Sequence, residues 1–179
     1  MKHACTCVKN ISCFFVILVF LFAPFILFAQ ELQETTGTDF QGTIGTPVRI
    51  EGTGIKAGDI ISLIDGRHVL SSEPHDPAVA GVVVNNPTLV VGNLQGPQSY
   101  VIVSSGVTLV RVSSMGGTIA AGDYITTSAI PGIGIKAEQF GAIIGTALED
   151  YANTNPEEIT SIAVNLDIGT YGLLTNLTA

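Results

Sequence analysis

The sequence predicts an all-β fold from Pro47 onward, and three observations support this prediction. The chain beyond this point is a series of short runs rich in β-branched residues, each bounded by Gly, Pro, Asn or Asp, which favour turns. No window of eleven residues there carries apolar side chains at helical spacing. The phrases IKAGDIISL and IAAGDYITT lie 64 residues apart and indicate two copies of one β-unit. We therefore expect a small antiparallel barrel or a β-clip-like fold with two similar halves, preceded by an N-terminal hydrophobic helix.

Residues 1–29 are predicted to be that helix, acting as a signal peptide or a membrane anchor. Lys2 and Lys9 precede an uncharged run, FFVILVFLFAPFILFA. A basic start followed by a short apolar run is typical of a cleaved export signal. The nineteen residues from Ile11 to Ala29 also reach the length that a retained membrane span needs. Both outcomes stay open, and in both the two lysines favour export of the rest of the chain.

Cysteine usage and charge agree with export. The three cysteines, Cys5, Cys7 and Cys13, lie before or at the start of the apolar run, so the exported part has no disulfide. Beyond residue 29 the chain has five basic residues against fifteen acidic ones, a formal net charge of −10. Such a surface repels nucleic acid, whose binding needs a basic footprint. We expect no nucleic-acid partner.

The exported part divides into three segments. Residues 30–46, which are polar and rich in Gly and Thr, predict a flexible spacer. The β-rich module covers residues 47–168, and residues 169–179 form a C-terminal tail. Nine runs in the module predict strands: PVRIEG, DIISLI, AGVVVN, TLVVG, YVIVSSG, VTLVRVS, DYITTS, AIIGTAL and TSIAVNL.

The internal repeat is predicted to cover residues 48–84 and 110–148. A Gly-Asp pair recurs at an offset of 64, and so does a later glycine. Gly reaches positive φ at little cost, and Asp accepts hydrogen bonds from nearby backbone N–H groups. Two isolated acids make a poor calcium loop, which favours a turn over a metal site. The matching residues are therefore predicted to be structural turn positions: Gly58, Asp59, Gly81, Gly122, Asp123 and Gly145.

A longer spaced pattern runs from GVVVNNPTLVVG through VSSGVTLVRVSSMGGTIAAGDYITTSAIPGIGIKAEQFGAIIGTALEDY to ITSIAVNL. It resembles a β-module of tail-fibre-like bacterial surface proteins and phage appendages, over about Gly81 to Leu166. The resemblance implies a stalk-like or cap-like structural module. Some members of that group neighbour an autoproteolytic intramolecular-chaperone domain, but this chain lacks their long fibre repeats. The matching residues are Gly122, Asp123, Thr127, Ser128, Pro131, Gly132, Lys136, Ala137, Gly141, Gly145, Ala147, Leu148 and Glu149.

No group of residues predicts catalysis or a metal or cofactor site. The run SSEPHDP, with Glu73, His75 and Asp76 close to His68, is the densest polar cluster, and its two prolines favour a solvent loop. The serine pairs Ser104-Ser105 and Ser113-Ser114 lack a G-x-S-x-G elbow, so a hydrolase triad is not expected. The run GIGIKAEQFG has dinucleotide-like glycine spacing but no βαβ context, so it is predicted to be a loop and a strand. We expect no catalytic residue, no metal and no cofactor.

These observations together predict a non-enzymatic structural or adhesive module at the cell envelope, surface-anchored or secreted. Its expected partners are other proteins or further copies of itself, and the membrane if the N-terminal segment stays uncleaved. One alternative is a self-processing protease or a remnant of a fibre intramolecular chaperone. A carbohydrate-binding module is a second alternative, weakened because the sequence has no Trp.

Overall fold

The computed structural model describes residues 43–93 and 96–171, and in this part the chain is all-β, as the sequence predicted. No helix within these residues is long and apolar enough to cross a bilayer. The predicted N-terminal hydrophobic helix lies outside the described residues. The strands of the first sheet are β1 (Ile44–Arg49), β2 (Ile60–Ile64), β3 (Arg67–Leu70), β4 (Val79–Val84), β5 (Leu89–Val90) and β6 (Ser99–Val103). Those of the barrel are β7 (Ser105–Ser113), β8 (Tyr124–Thr127), β9 (Gly134–Lys136), β10 (Gly141–Ala147) and β11 (Ile159–Tyr171), with a 3-10 turn at Ser114–Gly116.

The first sheet has the strand order β3-β2-β4-β6-β1-β5. All neighbouring strands in it are antiparallel except β1 and β5, which are parallel. A parallel bridge between Ile50 and His68 joins the chain just after β1 to β3. The sheet therefore curls until two of its strands that are far apart in the order come together.

The five strands β7 to β11 close into a barrel in the order β10-β11-β7-β9-β8. Four of the pairs are antiparallel, and the pair of β7 with β9 is parallel. The sequence led us to expect an antiparallel barrel, and this one parallel pair is the difference. Its reason is geometric, because an odd number of strands cannot alternate in direction all the way around a closed ring.

The first sheet and the barrel share strand order, strand direction and pairing partners. Read from β3, the first sheet runs β3-β2-β4-β6-β1, and read from β9 the barrel runs β9-β8-β10-β11-β7. Ile61 pairs with Gly81 in the first sheet, and Ile125 pairs with Gly145 in the barrel. The bridge of Ile50 to His68 corresponds to the parallel pair that closes the barrel. Only β5 has no counterpart among the described strands.

The two hydrophobic clusters follow the same correspondence. The cluster within the first sheet consists of Val48, Ile50, Ile61, Val83 and Ile102. The residues at the matching positions are all buried in the larger cluster: Val110, Val112, Ile125, Ala147 and Val164. Burying a Val or Ile side chain contributes about 1.5–3 kcal/mol, so each set of five stabilises its own strands.

The sequence analysis missed β3, whereas β9 lies within the run GIGIKAEQFG, which was predicted to hold a loop and a strand. Both are second strands of hairpins, and β3 follows β2 after only Asp65 and Gly66. These two residues have φ values of 50° and 77°, as a type I′ turn requires at both central positions. The dipeptide Asp-Gly is the sequence signal that could have revealed β3.

Two predicted boundaries also differ from the structure. β1 begins at Ile44, inside the predicted spacer of residues 30–46, because Ile44 and Gly45 pair with β5. β11 continues to Tyr171, inside the predicted tail of residues 169–179, because its last residues pair with the start of β10. In both cases the pairing partner is distant in sequence, which a local pattern does not show.

Gly81 and Gly145 lie inside β4 and β10, and so their prediction as turn positions was wrong. Both are required by the neighbouring strand instead. A Cβ atom on Gly81 would lie 2.6 Å from the carbonyl oxygen of Val103, and one on Gly145 would collide with that of Asn165. The backbones of β6 and β11 approach too closely at these points for any side chain.

We expect Gly81→Ala and Gly145→Ala each to lower the free energy of unfolding by about 1–3 kcal/mol, because the added methyl group must displace a backbone strand. Gly169→Ala is the matched control, since the nearest atom to its Cβ would be 3.8 Å away, an ordinary contact. Urea denaturation of the three variants measures the difference. Equal stability of Gly81→Ala and Gly169→Ala would contradict the close approach.

Candidate functional site

The first Gly-Asp turn leads into β2 and is closed by its own aspartate. Gly58 has a φ of +88°, which favours glycine. The carboxylate Oδ2 of Asp59 accepts the N–H of Lys56 at 2.7 Å, and the N–H of Asp59 donates to the carbonyl of Lys56 at 3.2 Å. Gly58 N–H donates to the carbonyl of Val83 and Val83 N–H to that of Asp59, which fixes the turn to β4.

The second Gly-Asp turn leads into β8 and repeats these bonds one for one. Gly122 has a φ of +95°. Oδ2 of Asp123 accepts the N–H of Ala120 at 2.8 Å, and the N–H of Asp123 donates to the carbonyl of Ala120 at 3.0 Å. Gly122 N–H donates to the carbonyl of Ala147, and Ala147 N–H to that of Asp123. Both aspartates therefore serve as turn-closing acceptors.

The two aspartates form ion pairs with different basic side chains. Oδ1 of Asp59 accepts a hydrogen bond from Arg111 Nη1, and the two side chains are only 2% and 18% exposed. Arg111 belongs to β7, so this ion pair joins the first sheet to the barrel. Asp123 pairs through Oδ2 with Lys136 Nζ at 2.7 Å, within the barrel, and its side chain is 25% exposed. The buried pair is the one that connects the two groups of strands.

The pKa of the Asp123 carboxyl lies below its ordinary value of 3.8. The main cause is the hydrogen bond from Lys136, followed by the backbone N–H of Ala120, while partial burial acts in the opposite direction. Because the folded-state pKa is lowered, the contribution of this carboxylate to stability is present above pH 3.8 and is lost as the pH falls through the folded-state pKa.

The loop after β3 carries a buried carboxyl group, and so its prediction as a solvent loop was wrong for Asp76, which is 4% exposed. Oδ2 of Asp76 accepts hydrogen bonds from the hydroxyls of Ser62 at 2.5 Å and Ser71 at 3.2 Å. Oδ1 accepts the N–H of Ala78 at 2.8 Å. Three donors compensate for the loss of water around this group. Glu73, by contrast, is exposed.

The same loop reaches across to β8, and we call this contact the joint: residues 73–78 with Thr126 and Thr127. Asp76 N–H donates to the hydroxyl of Thr127 at 2.8 Å, and that hydroxyl donates to the carbonyl of Glu73 at 2.6 Å. The hydroxyl of Thr126 lies 3.2 Å from His75 Nδ1. Local sequence patterns do not predict such a contact, because its partners are about fifty residues apart.

A second loop, residues 128–133, extends from the barrel onto the first sheet. Ile60 N–H donates to the carbonyl of Gly132 at 2.9 Å, and Gly132 N–H donates to the carbonyl of Ser71 at 2.8 Å. A Cβ on Gly132 would lie 3.1 Å from the Asp59 side chain. This loop therefore packs against the Asp59 turn and closes it from one side.

Three aromatic side chains form an exposed group on the barrel, which we call the aromatic patch: Tyr124, Phe140 and Tyr171. The ring centroids of Tyr124 and Tyr171 are 4.6 Å apart, and those of Phe140 and Tyr171 are 5.7 Å apart. Phe140 is 73% exposed, and the two tyrosines are 39% and 37% exposed. The sequence analysis did not identify this patch, since its residues lie on a strand, a loop and the predicted tail.

The other candidate residues do not converge. Within residues 43–93 and 96–171 no three His, Cys, Asp or Glu side chains are placed to hold a metal ion. His68 is half-buried on β3. Ser113 caps the 3-10 turn, and Ser114 donates to the carbonyl of Asn153 at 3.1 Å. In the part of the chain that is described, every buried side-chain nitrogen or oxygen has a hydrogen-bond partner.

Comparison of the chain with protein-family models, with curated proteins and with solved structures found no match.

We expect Asp59→Ala to lower the free energy of unfolding by about 3–5 kcal/mol, because it leaves Arg111 largely buried without a partner. Asp123→Ala should lower it by about 1 kcal/mol, since water reaches Asp123 and Lys136. Asp167→Ala is the control, because its exposed carboxylate makes no hydrogen bond within the described residues. Chemical denaturation measures all three.

Each of these variants should also run as one band of wild-type length on a denaturing gel. Two fragments in the wild type that become one in Asp123→Ala, at unchanged stability, would contradict the turn role. That result would indicate self-processing.

The Lys136→Met variant should raise the titration midpoint of the Asp123 carboxyl toward 3.8, because it removes the largest cause of the lowered pKa. NMR detection of the side-chain carboxyl carbon during an acid titration measures this midpoint. Lys56→Met is the control, since the Lys56 ammonium makes no ion pair within the described residues. An Asp123 midpoint that is the same in Lys136→Met and the wild type would refute the assignment.

Proposed function

We propose that this chain is an exported, non-enzymatic structural or adhesive β-module of the cell envelope, similar to the modules of tail-fibre-like surface proteins. One observation carries the proposal: two groups of five strands have the same order, the same pairing partners and the same Gly-Asp turn bonds. We infer that they arose by duplication of one β-unit. Repeated units that pack on their neighbours are the usual construction of elongated structural proteins.

The contacts between the two groups support a rigid module. The Asp59–Arg111 pair, the joint and the 128–133 loop all connect the first sheet to the barrel. Three apolar side chains of the first sheet belong to the cluster that fills the barrel: Ile60, Val82 and Val103. Buried hydrogen bonds between two packed units fix one arrangement, because any other arrangement leaves polar groups unpaired.

Export is supported by the sequence of residues 1–29 and by the charge of the residues beyond them. A basic start and an apolar run favour translocation, and a formal net charge of −10 beyond residue 29 suits solubility outside the cell. The fold needs no disulfide, since no cysteine lies beyond Cys13. The module therefore depends on packing and hydrogen bonds for its stability.

We expect a reporter enzyme that is active only outside the cytoplasm to be active when it is fused after Ala179. The physical reason is that the apolar run after Lys2 and Lys9 directs the rest of the chain across the membrane. The same fusion without residues 14–29 is the control and should be inactive. Activity of a reporter that works only in the cytoplasm, with the full chain in front of it, would disprove export.

A further inference from the structure

One row of side chains in the first sheet is buried against the barrel, while the corresponding row in the barrel is open. Ile60, Val82 and Val103 are cross-strand partners on β2, β4 and β6, and each is at most 1% exposed. Their counterparts on β8, β10 and β11 are also cross-strand partners. These counterparts are exposed or half-buried: Tyr124, Thr146 and Asn165.

The open row ends in the aromatic patch. Tyr124 belongs to both, and its ring contacts that of Tyr171. The patch replaces an aliphatic residue that is completely buried, Ile60, by a group of rings that no described residue covers. Exposed aromatic groups of this kind are enriched at the centres of protein interfaces.

The Asp123 turn is open on the side where the Asp59 turn is covered. A Cβ on Gly58 would lie 2.9 Å from Arg111 Cγ, whereas one on Gly122 would meet no atom within 4 Å. Oδ1 of Asp59 binds Arg111, whereas Oδ1 of Asp123 has no partner among residues 43–93 and 96–171. An arginine side chain therefore binds at the Asp59 turn, and the Asp123 turn has the space and the carboxylate oxygen to bind another.

The first sheet exposes the matching surface. Thr127 is 1% exposed at the joint, and its counterpart Leu63 is 45% exposed. The next residue, Ile64, is 44% exposed. The counterpart of Arg111 is Arg49, which is exposed and makes no ion pair within the described residues. The surface that the barrel presents to the first sheet thus has its counterpart on the first sheet itself, where no described residue covers it.

We propose that copies of this chain assemble head to tail, with the open row and aromatic patch of one barrel packed on the Arg49, Leu63 and Ile64 surface of the next copy. The contact continues the arrangement that already exists within the chain. It places Arg49 of the next copy beside Oδ1 of Asp123, as Arg111 stands beside Asp59. The proposal rests on the structural role proposed above and gives it a partner, a second copy of the same chain.

Such a contact uses two different surfaces, so it is heterologous and does not close at two copies. Every open assembly keeps a free open row at one end and a free first-sheet surface at the other, so it extends along one axis. The joint and the 128–133 loop have no equivalent between copies, because the corresponding connections are shorter: residues 137–140 and the Asp65-Gly66 turn. The contact between copies is therefore weaker than the one within the chain and depends on concentration.

The test is a complementation experiment with two variants of the full chain in detergent. Tyr124→Glu places a charge in the aromatic patch, and Leu63→Glu places one on the opposite surface. Both positions are partly exposed, so folding is preserved, which circular dichroism verifies. In sedimentation velocity, the mass of the wild-type assembly should increase with protein concentration beyond that of a dimer. Each variant alone should associate at least about tenfold more weakly than the wild type.

The equimolar mixture gives the decisive result. Tyr124→Glu keeps an intact first-sheet surface and Leu63→Glu keeps an intact barrel surface, so the mixture should form a dimer and nothing larger. Leu89→Glu is the control, since Leu89 is 54% exposed on β5, which has no counterpart in the barrel, and it should assemble like the wild type.

Three results would overturn the proposal. Normal assembly of Leu63→Glu alone would show a symmetric contact between two aromatic patches. Association that neither variant changes would place the contact elsewhere, such as residues 14–29. A wild-type chain that stays monomeric at every concentration would show that its own residues cover the patch. Phe140→Ser and Ile64→Ser repeat the test with milder changes. Assembly of the purified chain is measured independently of its export, so a negative reporter result leaves these outcomes unaffected.

Discussion

The buried ion pair of Asp59 with Arg111 is the interaction on which the rest of the structure depends. Taking both charges out of water is costly, and the cost is offset only when the remaining hydrogen-bonding atoms find partners. Asp59 meets this condition by using one oxygen to close the turn before β2 and the other to bind β7. The N–H of Arg111 also donates to the carbonyl of Gly58 at 3.0 Å. The position of the barrel against the first sheet is therefore set at the turn itself.

The pair is effective because its surroundings leave little access to water, with 2% of the Asp59 side chain and 18% of the Arg111 side chain exposed. Gly132 packs on the Asp59 side chain, and the row that begins with Ile60 fills the space beside it. Asp76, a second buried carboxyl group, is held by two serine hydroxyls and one backbone N–H, and its own N–H donates across the joint to Thr127. Apolar packing and polar bonding thus act at one interface: packing supplies most of the free energy, and hydrogen bonds select the arrangement.

The sequence predicted the features that local pattern encodes, and it missed those that arise from distant partners. The β class follows from alternation and β-branched runs, and the two turns follow from the Gly58-Asp59 and Gly122-Asp123 phrases. The role of Gly81 was misassigned because its constraint is the carbonyl of Val103, on a neighbouring strand. The burial of Asp76 was missed because a loop rich in Pro and Ser is usually solvated, whereas here Ser62 on β2 and Thr127 in the barrel bind this residue from outside its loop.

The differences between corresponding residues match the contacts that each surface makes. Where the first sheet meets the barrel, the residues are aliphatic or small and fully buried, such as Ile60 and Thr127. Their counterparts, Tyr124 and Leu63, are larger and exposed. Solvent-facing strands favour polar residues, and Thr146 and Asn165 in the open row follow this preference. Tyr124 and Leu63 do not, and these two exceptions are the positions on which the proposed contact between copies depends.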